Sequence, residues 1–141
     1  MQVKEVMTRD IEHVEASDTI QNAALKMRKL NVGFMPVWDN GAVVGVLTDR
    51  DLVVRAVAEG RGPGALVEEV ATAGPITCGQ ELDVVEAARK MMDAQVRRLL
   101  VTDADDMPVG VVSLGDLAVT MDLDHAGEVL KAISEPSEPA R

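Results

Sequence analysis

The chain has 141 residues, 47% of them hydrophobic, and a formal net charge of −10. That is enough apolar material for one ordinary domain or two small units sharing a core, and a mean hydropathy near zero fits neither a disordered nor a membrane-embedded chain. The negative balance opposes binding to phosphate backbones, and one Phe, one Trp and no Tyr provide no stacking platform for single strands, so nucleic acid is not expected as a partner.

The first predicted strand covers residues 12–14. An amphipathic helix follows, with Ile20, Ala23, Ala24, Met27 and Leu30 at helical spacing. Asp18 is its expected N-cap with Gln21 in the reciprocal position. Arg28 and Lys29 end it, where positive charge complements the helix dipole. A strand is predicted over 34–38, then a turn at Asp39-Asn40-Gly41, whose last two residues tolerate positive φ. The strand over 43–47 is an unbroken apolar run, which predicts burial on both faces. A helix starting near Asp49 carries Leu52, Ala56 and Val57, and Gly60-Arg61-Gly62-Pro63-Gly64 stops it.

The same series then recurs. A strand is predicted over 76–78, a helix with Val84, Ala87, Ala88 and Met91 that ends in Arg89-Lys90, strands over 99–102 and 109–112, and a helix from Leu114. Val3-Lys4-Glu5-Val6-Met7-Thr8 overlays Val67-Glu68-Glu69-Val70-Ala71-Thr72 at an offset of 64 positions, which also pairs Met27 with Met91 and Val37 with Val101. One extra residue in the polar turn Ala104-Asp105-Asp106 raises the offset to 65, pairing Gly45 with Gly110, Thr48 with Ser113 and Asp51 with Asp116. A turn is where a structural repeat tolerates an insertion. The expected architecture is therefore α/β, with two pseudo-symmetric repeats over 1–64 and 65–133 and a flexible tail over 134–141.

The most informative pattern is Gly45-Val46-Leu47-Thr48-Asp49-Arg50-Asp51, echoed by Gly110-Val111-Val112-Ser113-Leu114-Gly115-Asp116. Glycine lets a ligand approach the backbone. A hydroxyl and the N–H groups opening a helix can meet a phosphate or ribose oxygen, and a carboxylate can accept both hydrogens of a vicinal diol. A hydroxyl three positions before an acid at a helix start is also nearly a capping box. The residues alone leave both readings open.

With the repeat, these residues resemble tandem CBS (cystathionine-β-synthase-type) domains over residues 3–121. Met7-Thr8, Met35-Pro36-Val37-Trp38-Asp39 and the glycine-to-aspartate motif follow that family's pattern in order. Leu47-Thr48-Asp49-Arg50-Asp51-Leu52-Val53 and Val129-Leu130-Lys131-Ala132-Ile133 resemble its small stand-alone bacterial members of the hypoxic response type. The resemblance implies two CBS repeats packed as one module, with clefts between their sheets that take AMP, ATP or S-adenosylmethionine, and commonly a homodimer. By motif match, Thr48 and Asp51 hold phosphate and ribose in one cleft, Ser113 and Asp116 in the other. Arg50 is expected to face phosphate, and backbone at Ile76-Thr77 and at Glu12-His13 to flank adenine. The second copy has Leu100 for Pro36 and Gly115 for Arg50, so its hold on phosphate depends on Arg97 or Arg98, of which strand alternation is expected to turn one to the ligand and the other to solvent. The first copy is the favoured site if one alone is functional.

No catalytic or metal residues are expected. His13 and His125 lack partners at ligand spacing, Cys78 reads as a small strand hydrophobe, and no nucleophile–base set or phosphate-cradling glycine loop appears. No apolar run approaches the ~20 residues that span a bilayer, no signal-peptide layout opens the chain, and a single cysteine suits the cytoplasm. The expected function is a non-catalytic, energy-sensing regulatory module that requires no cofactor and passes its output to an unknown effector protein. The alternative is a structural, dimerising or partner-docking protein with no nucleotide bound.

Overall fold

The computed structural model describes residues 1–136. After a 3-10 turn at Val3–Glu5 the elements are β1 (Thr8–Arg9), β2 (Val14–Glu15), α1 (Ile20–Leu30), β3 (Phe34–Asp39), β4 (Ala42–Thr48) and α2 (Asp49–Asp51), which continues as a π-helical stretch over Leu52–Val57. Next come α3 (Val67–Val70), β5 (Thr72–Ala73), β6 (Thr77–Gly79), α4 (Val84–Ala94), β7 (Arg98–Thr102), β8 (Pro108–Ser113), α5 (Leu114–Ala118) and α6 (Leu123–Ser134). Ser134, placed by the sequence in a flexible tail, is the last residue of α6; residues 137–141 of that tail lie outside the described residues.

The chain forms two compact units, and they do not follow the sequence repeat. One is Ile11–Pro75; the other joins Met1–Asp10 to the chain from Ile76 onward. The segment leading each repeat thus belongs to the body of the other, and the glycine-rich stretch at 60–64 lies inside a unit. The docking is the same in both. Val3 N donates to Leu82 O at 2.8 Å and Lys4 N to Gln80 O at 2.9 Å, while Val67 N donates to Asp18 O at 2.8 Å and Glu68 N to Ala16 O at 3.0 Å. Val3, Val67 and Val70 are fully buried. Apolar burial contributes most to this docking, about 1.5–3 kcal/mol per fully buried aliphatic side chain.

In the Ile11–Pro75 unit the strand order is β2-β3-β4-β5, with β2 parallel to β3 and the other pairs antiparallel. Helix α1 makes the crossover that a parallel pair requires. Asn40 and Gly41, with φ of 52° and 78°, make the tight β3–β4 turn the sequence foretold. Two expectations fail here. The N-cap of α1 is Thr19, whose hydroxyl accepts from Asn22 N at 3.2 Å; Asp18 sits one residue too early and accepts from Thr19 N and Asn22 Nδ2 instead. Nor is β4 buried on both faces. Gly45 and Leu47 are buried but Val44 is 43% exposed, as expected when an antiparallel sheet is covered on one side.

In the other unit the order is β1-β8-β7-β6, again with one parallel pair, β6 and β7, spanned by α4. Asp83 caps α4 by accepting from Val85 N at 2.9 Å, and that N–H holds the Asp83 carboxyl below its usual range. Arg89 and Lys90 do not end this helix. It runs on to Ala94, so they lie in its middle, Arg89 beside Glu86 at 3.4 Å and Lys90 donating to Thr77 O at 2.9 Å. Lys26 makes the equivalent bond to His13 O at 2.7 Å. Both helices end in a left-handed residue, Asn31 and Gln95.

Cys78 is buried in this core, where burial raises its thiol pKa above the ordinary value and nearby Lys90 opposes this only in part. The thiol is therefore expected to react with a maleimide or disulfide reagent only through unfolding. Because the folded-state pKa is raised, the stabilisation is complete below the unfolded pKa and is lost as pH rises through the folded value. Labelling rates measured from neutral pH upward check both points. Labelling as fast as a model thiol under native conditions contradicts them.

Candidate functional site

Both copies of the motif fold into the same reciprocal cap. Thr48 N donates to Asp51 Oδ2 at 2.9 Å while Asp51 N donates to Thr48 Oγ1 at 3.1 Å; Ser113 and Asp116 repeat the pair at 2.9 and 3.1 Å. Two orphan backbone donors at each helix start are satisfied this way. In the first copy the Asp51 carboxylate has further neighbours, Thr72 Oγ1 at 3.4 Å and Arg55 Nε at 3.9 Å, and Asp51 is the buried charged residue of the described structure. The second copy has Thr120 at the position of Arg55, and its hydroxyl donates to Leu117 O at 2.8 Å.

The two motif glycines serve a different purpose from the one the sequence suggested. A Cβ on Gly45 would collide with the backbone carbonyl of Thr72, and one on Gly110 with that of Thr8. Close approach is indeed the reason for glycine at both positions, but the approaching group is the chain's own backbone, in β5 and β1.

At the second copy a cavity of about 630 Å3 opens. Arg97, Arg98, Ser113 and Gly115 line one part of it, and Leu114, Ala118, Leu123, Ala126 and Leu130 supply an apolar wall. Strand β7 and the turn into α5 carry the polar part; α5 and α6 carry the wall. Arg97 Nη2 lies 3.5 Å from Ser134 Oγ at the end of α6. A volume of this order suits a small organic ligand, and two arginines in its lining suit an anionic head.

The expected site residues are therefore divided. Arg97, Arg98 and Ser113 meet at the cavity, with Asp116 held to Ser113 by the cap. Thr48, Arg50 and Asp51 belong to the other unit; Arg50 is exposed and its backbone N donates to Asp49 Oδ1 at 2.9 Å. Thr77 opens β6 and Ile76 precedes it; their carbonyls accept from Lys90 Nζ and Leu100 N, and neither residue lines the cavity. The apolar wall was missed at the sequence level. Asp122, which caps α6 through His125 N at 2.7 Å, followed by Leu123, Ala126 and Leu130, was the available signal.

The CBS domain profile matches residues 3–57 and 67–122 of the chain. The chain belongs to the CBS domain family. The CBS domain-containing protein YhcV of Bacillus subtilis is 39% identical over 133 residues, covering 94% of each chain. Hypoxic response protein 1 of Mycobacterium tuberculosis is 29% identical over 94% of each chain; the solved Hypoxic Response Protein I structure, with two coordinated zinc ions, overlays at a TM-score of 0.74 over 86% of this chain and all of that one. CBSX2, solved in complex with AMP, overlays at a TM-score of 0.71 with 25% identity, covering 84% of this chain and 94% of its own. Among the described residues of the present CBS protein no three His, Cys, Asp or Glu side chains converge as a metal site, and no helix is long and apolar enough to cross a membrane.

Proposed function

We propose that this CBS protein is a regulatory, non-catalytic module of the cytoplasm that binds an adenosine-containing ligand of the AMP, ATP or S-adenosylmethionine class. The observation that carries the reading is the cavity at the second repeat, where Arg97, Arg98 and Ser113 stand beside an apolar wall. The arginines suit a phosphate or carboxylate head and the wall suits an uncharged ring. The AMP complex of the similar CBSX2 supports the choice of ligand.

Titrating AMP, ADP, ATP and S-adenosylmethionine while following thermal unfolding tests it. The expected outcome is a melting temperature that climbs with ligand concentration, worth about 2.7 kcal/mol at a hundredfold excess over Kd. Arg98→Ala is expected to weaken binding at least tenfold with the fold retained. A second reading has its own support. The reciprocal caps account for Thr48, Asp51, Ser113 and Asp116 with no ligand, and Val119 and Leu123 are 85% and 92% exposed, an apolar surface fit for a second copy or an effector protein. If no adenosine compound shifts melting at millimolar concentration while sedimentation shows a dimer that Leu123→Glu dissociates, the structural reading replaces the first.

A further inference from the structure

The two copies differ most where the strand enters the motif. In both, the residue after the hydroxyl donates its backbone N–H to that strand entrance: Asp49 N to Gly33 O at 3.0 Å, Leu114 N to Arg97 O at 2.8 Å. The backbone is thus the same and only the side chains change. Where the second copy pairs Arg97 with Leu114, the first pairs Gly33 with Asp49. The Asp49 carboxylate lies directly over Gly33, so close that a Cβ there would stand 2.6 Å from Asp49 Oδ2. The first copy therefore places a carboxylate where the second places the Cβ of Arg97, the start of a cationic side chain. The adjacent position repeats the contrast, Phe34 against Arg98.

We infer that the copies are electrostatically inequivalent: Asp49, seated on Gly33, bars an anionic ligand from the first motif, and Arg97 with Arg98 admits it to the second. Asp49 is then a specificity-determining residue, and the chain carries one anion site. Arg50 does not tip the balance, because the first motif sets Asp49 beside it, and Arg55, 3.9 Å from Asp51 Oδ1, is paired with that carboxylate. At short range an anion beside a carboxylate is repelled and beside two guanidinium groups attracted, a difference large enough for tenfold or greater discrimination. The adenosine part of the ligand rests on the function proposed above; the charge asymmetry does not.

Isothermal titration and amide chemical-shift mapping, each with AMP and with inorganic pyrophosphate, test the inference on the whole chain. One AMP per chain is expected, with shifts at Arg97, Arg98 and Gly115 and none at Gly33 or Arg50. In the double variant Gly33→Arg/Asp49→Leu a second equivalent is expected to bind; the converse Arg97→Gly/Leu114→Asp is expected to bind none, with circular dichroism reporting that each variant is folded. Two sites in the unmodified chain, shifts centred on Gly33 and Arg50, or a folded Gly33→Arg/Asp49→Leu that still takes one equivalent would overturn the inference and leave the nucleotide reading standing. Pyrophosphate bound at Arg97 and Arg98 without any AMP binding would instead sink the nucleotide reading and support the asymmetry. If neither probe binds, both fail.

Discussion

Deletion of Met1–Asp10 is expected to unfold the unit that contains Ser113 and Asp116, although those residues lie a hundred positions away in sequence. The segment contributes Val3 and Met7, 0% and 9% exposed, to a core with Met91, Leu99, Val112 and Leu117. Each such side chain is worth about 1.5–3 kcal/mol of burial, and the void left behind adds to the loss because the surroundings relax only in part. β1 also pairs with β8, and the segment exchanges backbone hydrogen bonds with Gln80, Leu82 and Val84. Losing roughly 5 kcal/mol or more approaches the whole stability of an ordinary domain. Hydrogen exchange checks the location. Amides of β6, β7 and β8 are expected to lose protection ahead of those in β3 and β4. The opposite order would mean that the segment serves its own repeat.

The second large effect is expected from Gly45→Ala and Gly110→Ala. A single methyl at either position meets a neighbouring strand's carbonyl rather than the end of a flexible side chain. The backbone cannot retreat freely, since β5 is held by buried Val67 and Val70 on one side and β1 by Val3 and Met7 on the other. Overpacking of this kind costs about 1–3 kcal/mol, which lowers the melting temperature by roughly 4–12 °C. Gly41→Ala is the control. It carries a positive φ of 78° with nothing within 4 Å, so its cost is backbone strain alone, about 1 kcal/mol. If instead Gly45→Ala leaves melting unchanged and removes ligand binding, the glycine serves a ligand and the strand contact is incidental.

Much of the fold was legible because it is local. Helical spacing of Ile20, Ala23 and Met27 marks α1, Asn40-Gly41 marks the hairpin, and the repeat offset carries each element from one copy to the other. What escaped was either too short to show a period or required a partner distant in sequence. β1 and β5 are two residues each and exist only because β8 and β4 offer an edge. The cap of α1 was placed one residue early because Asp18 and Thr19 are both good caps, and only the backbone angles at Thr19 decide between them.

The motif shows the same division. A hydroxyl three positions before an aspartate determined a helix cap, since a capping box needs nothing beyond four consecutive residues. Whether that cap borders a ligand site is a question of what surrounds it. Only the tertiary structure placed Arg97, Arg98 and the face of α6 around Ser113, and laid the Asp49 carboxylate over Gly33 in the other copy. Sequence favoured the first copy because Arg50 sits inside its motif; the fold brings Arg98 of β7 and Arg97 at its entrance to the cavity at the second. Local pattern determines a cap, whereas the charge around it is set by chain segments that meet only on folding.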